Sequence, residues 1–363
     1  MRIMLDLKMN PKREFTAVDL FSGCGGLSLG LKRAGFIVKA AVEVDPLAAQ
    51  TYRSNHKETI LIQSDIRNIT GKNIRELAGL TVGKLDLLAG CPPCQGFSRI
   101  RRHGEQDPRN DLLFEFLRIA RAFRPKVVLL ENVPGMIRDR RFFLFVERLE
   151  SYGYCCKWGV LNAADFGVPQ RRKRLIVICS RVGSIDLPRK KAMQNKQTIK
   201  DYIGALKAPV KSKDRLHRMH LNCTPRIKTL IAKIPVDGGS RISLGKKNQL
   251  NCHKKTDGFR DVYGRMKWDD VSPTLTGGCF NPSKGRFLHP EQNRPITMRE
   301  AAILQTFPQS YHFPAELGLI NIARLIGDAL PPVFAQRQGE HLMKHLTSKD
   351  IEFDNGGDEC QMT

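Results

Sequence analysis

Short apolar runs alternate with amphipathic stretches between residues 16 and 180. Five of the runs have the length of buried strands, and they cover residues 17–21, 38–44, 85–89, 127–130 and 175–178. The stretches between them carry apolar side chains at helical spacing, as at residues 46–56, 112–123 and 142–152. This alternation predicts a doubly wound, mostly parallel α/β sheet with helices on both faces, whose ligands bind beyond the carboxyl ends of the strands.

The composition changes after residue 180. Residues 181–290 contain 24 Lys and Arg but 8 Asp and Glu, so 16 of the 24 net positive charges lie in less than a third of the chain. This segment is rich in Pro, Gly, Asn and Ser and shows no sustained period, which is typical of an irregular inserted domain. A basic excess of this size favours a partner that carries phosphates, while a merely solvated basic surface is the alternative.

Regular structure is predicted again after Pro295. Thr297 and Glu300 have the spacing of a capping box at the start of a helix. A last amphipathic stretch follows Pro332, and the chain becomes polar from Asp350 onward. We expect this polar tail to be frayed.

At 363 residues the chain is long enough for two domains or for one domain with a large insertion. Its N-terminus lacks the apolar segment of a secretory signal, and no later stretch approaches the roughly 18 apolar residues of a membrane span. We therefore expect a cytoplasmic protein with no membrane partner, whose ten cysteines are reduced. Cys91 and Cys94 form one CxxC pair without a second pair at zinc-finger spacing, so we expect no metal.

The first run is followed by Phe-Ser-Gly-Cys-Gly-Gly, residues 21–26. Glycines between a strand and a helix let the backbone approach a ligand, although a tight structural turn also explains them, and Ser28 replaces the third glycine of a full fingerprint. Glu43 closes the second strand 20 residues after Gly23, where a carboxylate can accept both hydroxyls of an adenosine ribose. Asp65 follows a third apolar run and could accept from an adenine amino group. Each carboxylate alone also fits an exposed surface, but the three features in order favour a nucleoside pocket.

Two further strand ends carry reactive side chains. Cys94 lies in Gly-Cys-Pro-Pro-Cys-Gln-Gly-Phe-Ser, residues 90–98, where two prolines make a stiff turn after the preceding run. A thiolate held in this way is a candidate nucleophile, and an inert buried thiol is the alternative. Glu131 ends the very apolar run at 127–130. In a dry cleft its carboxyl group could stay protonated near neutral pH and donate a proton, and an exposed turn carboxylate is the alternative.

Basic residues precede the last run in Gln-Arg-Arg-Lys-Arg, residues 170–174. In strand alternation Arg172 and Arg174 share one face, and Arg171 and Lys173 share the other. Arg174 is better placed than its neighbours to enter the cleft and hold an anionic or carbonyl oxygen. A solvated charge run is the default alternative.

Taken together, these motifs resemble the DNA cytosine-5 methyltransferase family. Residues 21–26, 90–98, 131–133 and 170–174 resemble its cofactor loop, catalytic loop, acid motif and arginine motif. Residues 294–308 resemble the helix that seats its recognition domain, and residues 326–332 resemble its final cofactor strand turn. All six motifs occur in family order, so the joint resemblance is far more specific than any one motif.

The resemblance implies a Rossmann-like catalytic domain that binds S-adenosyl-L-methionine and a smaller irregular target-recognition domain. Residues 1–184 would form the first part of the catalytic domain, residues 185–292 the recognition domain, residues 293–345 the return to the catalytic domain, and residues 346–363 a polar tail. The implied cofactor contacts are Phe21, Gly23, Cys24, Gly25, Gly26, Glu43, Val44, Asp65, Ile66, Pro93, Leu112, Asp328 and Leu330.

The resemblance also implies the chemistry. The Cys94 thiolate would add to carbon 6 of cytosine while Glu131 protonates or hydrogen-bonds N3, so that carbon 5 becomes nucleophilic and takes the methyl group. Asn132 would orient the loop, and Arg174 with Arg172 would hold an oxygen or phosphate of the target nucleotide. The target base must be flipped out of duplex DNA. No residue identifies itself as the base that removes the carbon 5 proton.

One residue departs from the family pattern. Asp328 stands where the family often has Asn, near the amino-acid end of the cofactor. An aspartate conserves the size of the side chain and its acceptor, but it lacks the amide donor and adds negative charge. We therefore expect a changed local contact with the cofactor at this position.

We interpret the chain as a bacterial DNA cytosine-5 methyltransferase of a restriction-modification system. It would act as a monomer on double-stranded DNA in the nucleoid, beside a cognate restriction endonuclease with which no direct contact is implied. A tRNA-methylating relative is an alternative, but the long basic insertion favours duplex DNA. A non-catalytic DNA-binding protein would not need Cys94, Glu131 and Arg174 together, and a dinucleotide oxidoreductase gives Cys94 and Glu131 no joint role.

Overall fold

The computed structural model describes residues 13–93, 112–190, 197–245 and 261–354, the last five by backbone alone. Its centre is one seven-stranded sheet, formed by β1 Phe15–Leu20, β2 Phe36–Glu43, β3 Ile60–Gln63, β4 Leu87–Gly90, β5 Val127–Asn132, β6 Cys155–Asn162 and β7 Lys173–Ser180. The strand order is β3-β2-β1-β4-β5-β7-β6. Strands β1 to β5 pair in parallel, and β7 is antiparallel to both β5 and β6. The predicted doubly wound, mostly parallel sheet is therefore confirmed.

Eleven α-helices accompany the sheet in the described part of the chain. They are α1 Gly26–Arg33, α2 Pro46–Asn55, α3 Gly71–Ala78, α4 Leu112–Phe123, α5 Arg140–Ser151, α6 Ile199–Ile203, α7 Arg215–Arg218, α8 Pro225–Lys233, α9 Met298–Leu304, α10 Gly318–Asp328 and α11 Pro332–Asp354. The capping box predicted from Thr297 and Glu300 begins α9, with Glu300 Oε2 accepting from the Thr297 amide at 2.7 Å. Helix α11 continues to Asp354, four residues beyond Asp350, where we had expected the polar tail to begin to fray.

The two faces of the sheet bury separate hydrophobic cores because alternate side chains of a strand point to opposite faces. Val18 and Leu20 of β1 join a core that also contains apolar side chains of α3, α4 and α5. Ala17 of the same strand joins a second core with α1 and α11. Helices therefore cover both faces, as the alternation along the sequence predicts.

Strand β6 and the reversed direction of β7 were not predicted. Strand β6 lies at the sheet edge and is mostly half-buried or exposed, with Trp158 37% and Val160 43% exposed, so it lacks the apolar run that marks a buried strand. Cys156 of β6 lies opposite Cys179 of β7, and the two form a disulfide. The expectation that every cysteine is reduced is therefore wrong for this pair.

The described part of residues 181–290 forms short helices and turns around a small apolar core. Arg265 is fully buried in this region. Its guanidinium donates to the carbonyl oxygens of Ile231 and Ile234, 3.0 and 3.1 Å away, and to those of His289 and Gln292, 3.1 and 2.8 Å away. Beside the apolar core, one buried side chain therefore satisfies several turn carbonyls of this segment, a role that regular secondary structure usually fills.

One stretch, Ala315–Lys349, is long and apolar enough by length and composition to cross a membrane. It is not one continuous helix, because residues 329–331 separate α10 from α11. Half of its most apolar window is buried inside the protein, where α11 completes the second core. Buried core helices of globular proteins meet the same criterion, so we assign this stretch to the core.

Helices α1 and α11 approach closely, and small residues permit the approach. A Cβ atom at Gly30 would overlap the Cβ of Ala335, and one at Gly339 would lie 2.7 Å from the Cβ of Ala34. Helix α11 thereby covers the same face of the sheet as α1, the helix that follows the loop at residues 21–26. Packing of α11 should therefore contribute to the stability of the whole catalytic region.

We predict that Leu342→Ala in α11 lowers the free energy of unfolding by about 2–5 kcal/mol, because Leu342 is fully buried and its truncation leaves a cavity. Urea denaturation followed by circular dichroism measures this change. As a control, Ile320→Ala should change the free energy by less than about 0.5 kcal/mol, because Ile320 is 66% exposed. Equal effects of the two substitutions would contradict the proposed packing of α11.

Candidate active site and cofactor cavity

A cavity of about 800 Å³ lies beyond the carboxyl ends of β1, β2, β4 and β5, at the point where the strand order reverses. It brings together sixteen of the residues proposed from the sequence: Phe21, Gly23, Cys24, Gly26, Glu43, Val44, Asp65, Ile66, Pro93, Leu112, Glu131, Asn132, Arg172, Arg174, Asp328 and Leu330. Cys94 lies outside the described residues. Positions more than 300 residues apart in the sequence thus share one cavity.

The loop between β1 and α1 forms one wall of the cavity. Phe21, Gly23 and Gly25 have φ values of 58°, 55° and 95°, the left-handed region that glycine adopts without strain. A Cβ at Gly26 would overlap the carbonyl oxygen of Leu330, so this backbone lies directly against the turn after α10. Gly25 faces the other way, because a Cβ there would overlap the imidazole of His56. Its small size is therefore explained by packing behind the cavity.

Ser28, which replaces the third glycine of the fingerprint, has a structural role. Its hydroxyl donates to Asp19 Oδ2 at 2.6 Å and lies 2.7 Å from the Tyr52 hydroxyl. Asp19 is fully buried, and desolvation raises its pKa to about 7. The serine thus ties α1 to the end of β1 through a buried hydrogen-bonded group.

Glu43 ends β2 with its carboxylate held by backbone donors. The amide of Gly23 donates to Oε2 and that of Asp45 to Oε1, each at 2.7 Å. Burial raises the pKa of Glu43, and these two hydrogen bonds oppose the shift. Each oxygen of a carboxylate has two lone pairs, so each still has one for a ligand hydroxyl. The hydroxyl of Ser22, which also lines the cavity, is buried without a partner among the described residues.

The carboxylate of Glu43, held by backbone amides, and the buried hydroxyl of Ser22 both suit a nucleoside cofactor, so the residues present fit such a group. A fixed carboxylate with one free lone pair on each oxygen suits the two hydroxyls of a ribose. The role of Asp65 as an acceptor for an adenine amino group stays a prediction. Its carboxylate also forms an ion pair with Arg67, whose Nη2 lies 2.5 Å from Oδ2. Among the described residues no cluster of three or more His, Cys, Asp or Glu side chains is arranged to hold a metal ion.

Glu131 and Arg174, which also line the cavity, form an ion pair. Arg174 Nε lies 2.7 Å from Glu131 Oε1, and both side chains are at least 85% buried. Cys91 lies in the same place, where burial and the neighbouring Glu131 raise the pKa of its thiol. Asn132 Nδ2 donates to the carbonyl oxygen of Pro92 at 3.1 Å, which orients the backbone two residues before Cys94.

Arg172 lines the cavity but makes different contacts from those we expected. It is 3% exposed, and its Nη1 and Nη2 donate to the carbonyl oxygens of Leu275 and Gly327 at 2.9 and 3.0 Å. Burial, with the nearby charge of Arg174, lowers the pKa of Arg172 to about 9. One donor of each terminal nitrogen is therefore engaged with the protein itself, a pair of contacts that the expected role of Arg172 toward the target nucleotide did not include.

Asp328 is the last residue of α10, and helix α11 follows it after a short turn. The expectation of a strand before this turn is therefore wrong, because the residues that resemble the motif lie between two helices. Burial raises the pKa of Asp328, while Arg324, Arg172 and Arg174 oppose the shift. Asp328 thus places a carboxyl group in the cavity wall, where three arginines act on its pKa.

Sequence reasoning did not single out about half of the residues that line the cavity, among them an ion pair and one residue of the basic segment. Arg324 Nη1 lies 2.6 Å from Asp45 Oδ2, which joins α10 to the start of α2, and Thr276 contributes a wall from the basic segment. Burial acts to raise the pKa of Asp45, but Arg324 and the α2 amides outweigh it and lower the pKa. Nothing local marks these residues. Cys91 could have been singled out from its place in the CxxC pair.

Comparison with known proteins places the chain in a family. Residues 15–344 match the family model of the C-5 cytosine-specific DNA methylases. The chain is 36% identical to Type II methylase M.HgiDII of Herpetosiphon aurantiacus over 326 residues, which cover 86% of this chain and 91% of that protein. It is 33% identical to Type II methyltransferase M1.HphI of Haemophilus parahaemolyticus over 344 residues, which cover 92% and 88% of the two chains.

Solved structures agree with this result. A prophage protein from E. coli, described as a DNA modification methyltransferase, has 25% identity and a TM-score of 0.66, with 92% of this chain and 100% of that chain covered. The S. pombe Dnmt2 methyltransferase has the same TM-score and coverage at 18% identity, which shows a shared fold. From the match over residues 15–344 and the cavity described above, we conclude that this chain belongs to the C-5 cytosine-specific DNA methylase family and is an S-adenosylmethionine-dependent DNA methyltransferase.

Proposed function

We propose that this enzyme is the modification methyltransferase of a Type II restriction-modification system and that Cys94 attacks a cytosine flipped out of a specific duplex sequence. One observation carries the proposal: a single cavity contains both Glu43, the carboxylate suited to ribose hydroxyls, and the ion pair of Glu131 with Arg174. The cofactor supplies an electrophilic methyl group bound to a sulfonium. The protein has to make carbon 5 of cytosine nucleophilic beside it.

Cys94 and Glu131 would do this together. The thiolate of Cys94 would donate an electron pair to carbon 6. The electrons of the 5,6 double bond would then form a 4,5 double bond, and those of the 3,4 double bond would move to N3, which Glu131 protonates or hydrogen-bonds. Carbon 5 would then form its bond to the methyl group while the bond from that methyl to the sulfonium sulfur breaks, which leaves the thioether S-adenosyl-L-homocysteine. A base, for which water suffices, removes the carbon 5 proton, and the returning electrons expel Cys94 and restore the double bond.

The neighbouring side chains would position these two groups. Arg174 holds the Glu131 carboxylate at 2.7 Å and is the better candidate to contact an oxygen of the target nucleotide. Asn132 fixes the Pro92 carbonyl and thereby the start of the loop that carries Cys94. The cofactor would lie with its ribose at Glu43, its adenine near Val44, Asp65 and Ile66, and its amino-acid end toward Phe21, Gly23 and Asp328.

The basic segment would hold the duplex. Several exposed cations there have no side-chain ion-pair or hydrogen-bond partner in the part of the chain that the structure describes, and ten of them are Lys207, Lys211, Lys213, Arg215, Arg218, Arg226, Lys228, Lys233, Lys267 and Lys284. Unpaired surface cations are available to phosphates, and phosphate contacts position a duplex without reading its sequence. Base-specific contacts would come from residues 238–285, which enclose residues 246–260, outside the described part.

This function would place the protein as a monomer in the bacterial cytoplasm, at the nucleoid. Its biological partner would be a restriction endonuclease that cuts the same sequence, without direct contact between the two proteins. The bacterial relatives named as Type II enzymes support this assignment. The division into catalytic residues 1–184 and 293–345, with a recognition domain at 185–292, is part of the same proposal.

We predict that the purified protein transfers labelled methyl from S-adenosylmethionine to duplex DNA and that Cys94→Ala still binds DNA but transfers no label, because the nucleophile is lost. Scintillation counting measures the transfer, and mapping 5-methylcytosine in the host genome identifies the target. Cys155→Ala is a matched control, because Cys155 is an exposed cysteine of β6. Transfer by Cys94→Ala would contradict the nucleophile assignment, and transfer to tRNA but not to duplex DNA would contradict the substrate.

We predict that Glu43→Gln raises the KM for S-adenosylmethionine about 10- to 100-fold, because an amide replaces one acceptor of the ribose-binding carboxylate with a donor that faces a backbone amide. Initial-rate kinetics at saturating DNA measure the effect. Glu58→Gln should leave this KM unchanged, because Glu58 is largely exposed and pairs with Lys32. If both variants bind the cofactor like the unchanged protein, Glu43 does not hold the ribose.

We predict that replacing the ten exposed cations of the basic segment by Gln weakens duplex binding and flattens its salt dependence. The slope of log K against log salt is negative, and each lost phosphate contact makes it less negative by about 0.9. Fluorescence anisotropy at several salt concentrations measures the slope. Gln at Lys57, Lys84 and Lys157, which are exposed outside this segment, should leave it unchanged. An unaltered slope in the variant with ten substitutions would contradict the proposal that these cations contact DNA phosphates.

A further inference from the structure

The cofactor cavity and the basic recognition segment share a wall. Thr276 of the segment lines the cavity together with Gly327 and Asp328, the last two residues of α10. We call residues 326–330 the cofactor turn. A Cβ at Gly327 would overlap the backbone of Thr276 and Gly277, and a Cβ at Gly277 would lie 3.3 Å from the Cα of Arg324. The two backbones are therefore in direct contact, and neither can move far without displacing the other.

Arg172 joins the two sides of this wall. Its Nη1 donates to the carbonyl oxygen of Leu275, in the recognition segment, and its Nη2 donates to that of Gly327, in the cofactor turn. The side chain is 3% exposed, and its Nε is buried without a partner among the described residues. A guanidinium presents its donors in a rigid planar fork that reaches two separated carbonyls, whereas an ammonium is a compact charge with rotatable donors.

Two buried glutamines extend this junction. Gln170 Oε1 accepts from the Leu275 amide at 3.0 Å, and the side-chain amides of Gln170 and Gln305 are in hydrogen-bond contact. Gln305 Nε2 donates to the carbonyl oxygens of Ile326 and Ala329 at 2.9 and 2.7 Å. A continuous chain of buried polar groups therefore runs from the recognition segment to both ends of the cofactor turn.

We propose that Arg172 is a positioning residue that makes the binding of cofactor and of duplex DNA mutually favourable by clamping the recognition segment to the cofactor turn. The inference rests on the proposed function, which assigns the cofactor to one side of this wall and the duplex to the other. A ligand that orders either side also orders the other, so the second ligand has less disorder to remove. By thermodynamic linkage each ligand strengthens the other by the same factor.

The test measures this factor directly. The dissociation constant of the unreactive product, S-adenosyl-L-homocysteine, is determined by calorimetry with and without a short duplex that carries the mapped target sequence. For the unchanged protein we expect the duplex to lower it at least about fivefold. For Arg172→Lys we expect each ligand alone to bind within about threefold of normal, while the factor falls to about one.

Arg171→Lys is the matched control, since Arg171 is exposed and its side chain pairs with Asp270 at 3.3 Å without reaching either backbone. It should retain the full factor. A merely structural role for Arg172 would weaken both single ligands or lower the melting temperature and leave the factor unchanged. That result would overturn the proposal, as would a factor near one in the unchanged protein.

A second measurement covers the case in which Arg172→Lys does not fold. Hydrogen exchange of the unchanged protein without cofactor should show slower exchange at residues 326–330 when the target duplex is added. Unchanged exchange there would overturn the proposal. The role of Arg172 and the proposed function can fail separately. Methyl transfer to DNA without mutual strengthening of the two ligands would contradict only the role of Arg172, whereas the absence of transfer to any duplex would contradict the proposed function.

Discussion

The site depends on contact between two parts of the chain that lie about 300 residues apart in sequence. The loop after β1 can form a cavity wall only because the segment around α10 returns to it: the Cys24 thiol donates to the Leu325 carbonyl at 3.3 Å, and the Tyr311 hydroxyl donates to the carbonyl of Cys24. Gly26 has no Cβ and so admits the carbonyl of Leu330. The long recognition segment is inserted between these two parts and is therefore held at both ends beside the cavity.

Burial of charge in this cavity is made tolerable by pairing. An isolated ion in a dry interior is very costly, and partners or backbone donors must replace the lost water. Glu131 has Arg174, Glu43 has two backbone amides, and Arg172 has two carbonyls. Each of these partners also fixes a direction, so the groups that offset the loss of hydration are the same groups that orient the site for chemistry.

The basic segment solves a different problem. It exposes many unpaired cations, which repel one another, and it has little regular structure to oppose that repulsion. Its stability comes from a small apolar core and from buried Arg265, which satisfies turn carbonyls. The neighbouring contact with α10 adds a further constraint at Thr276 and Gly277. A surface suited to phosphates can thus lack regular secondary structure and still be held in place.

The sequence alone determined the sheet, the order of the strand-end motifs and the family, because buried parallel strands and turn glycines leave local patterns that survive without tertiary information. It also predicted the grouping of Glu43 and Glu131, since carboxyl ends of parallel strands meet at one edge. Arg174, at the start of β7, reaches the same edge because β7 runs antiparallel to β5, a direction that the tertiary structure decided. Only the tertiary structure decided the edge strand β6, the disulfide, the Arg324 bridge to Asp45 and the clamp made by Arg172. These depend on pairings between distant segments, for which spacing along the chain carries no signal.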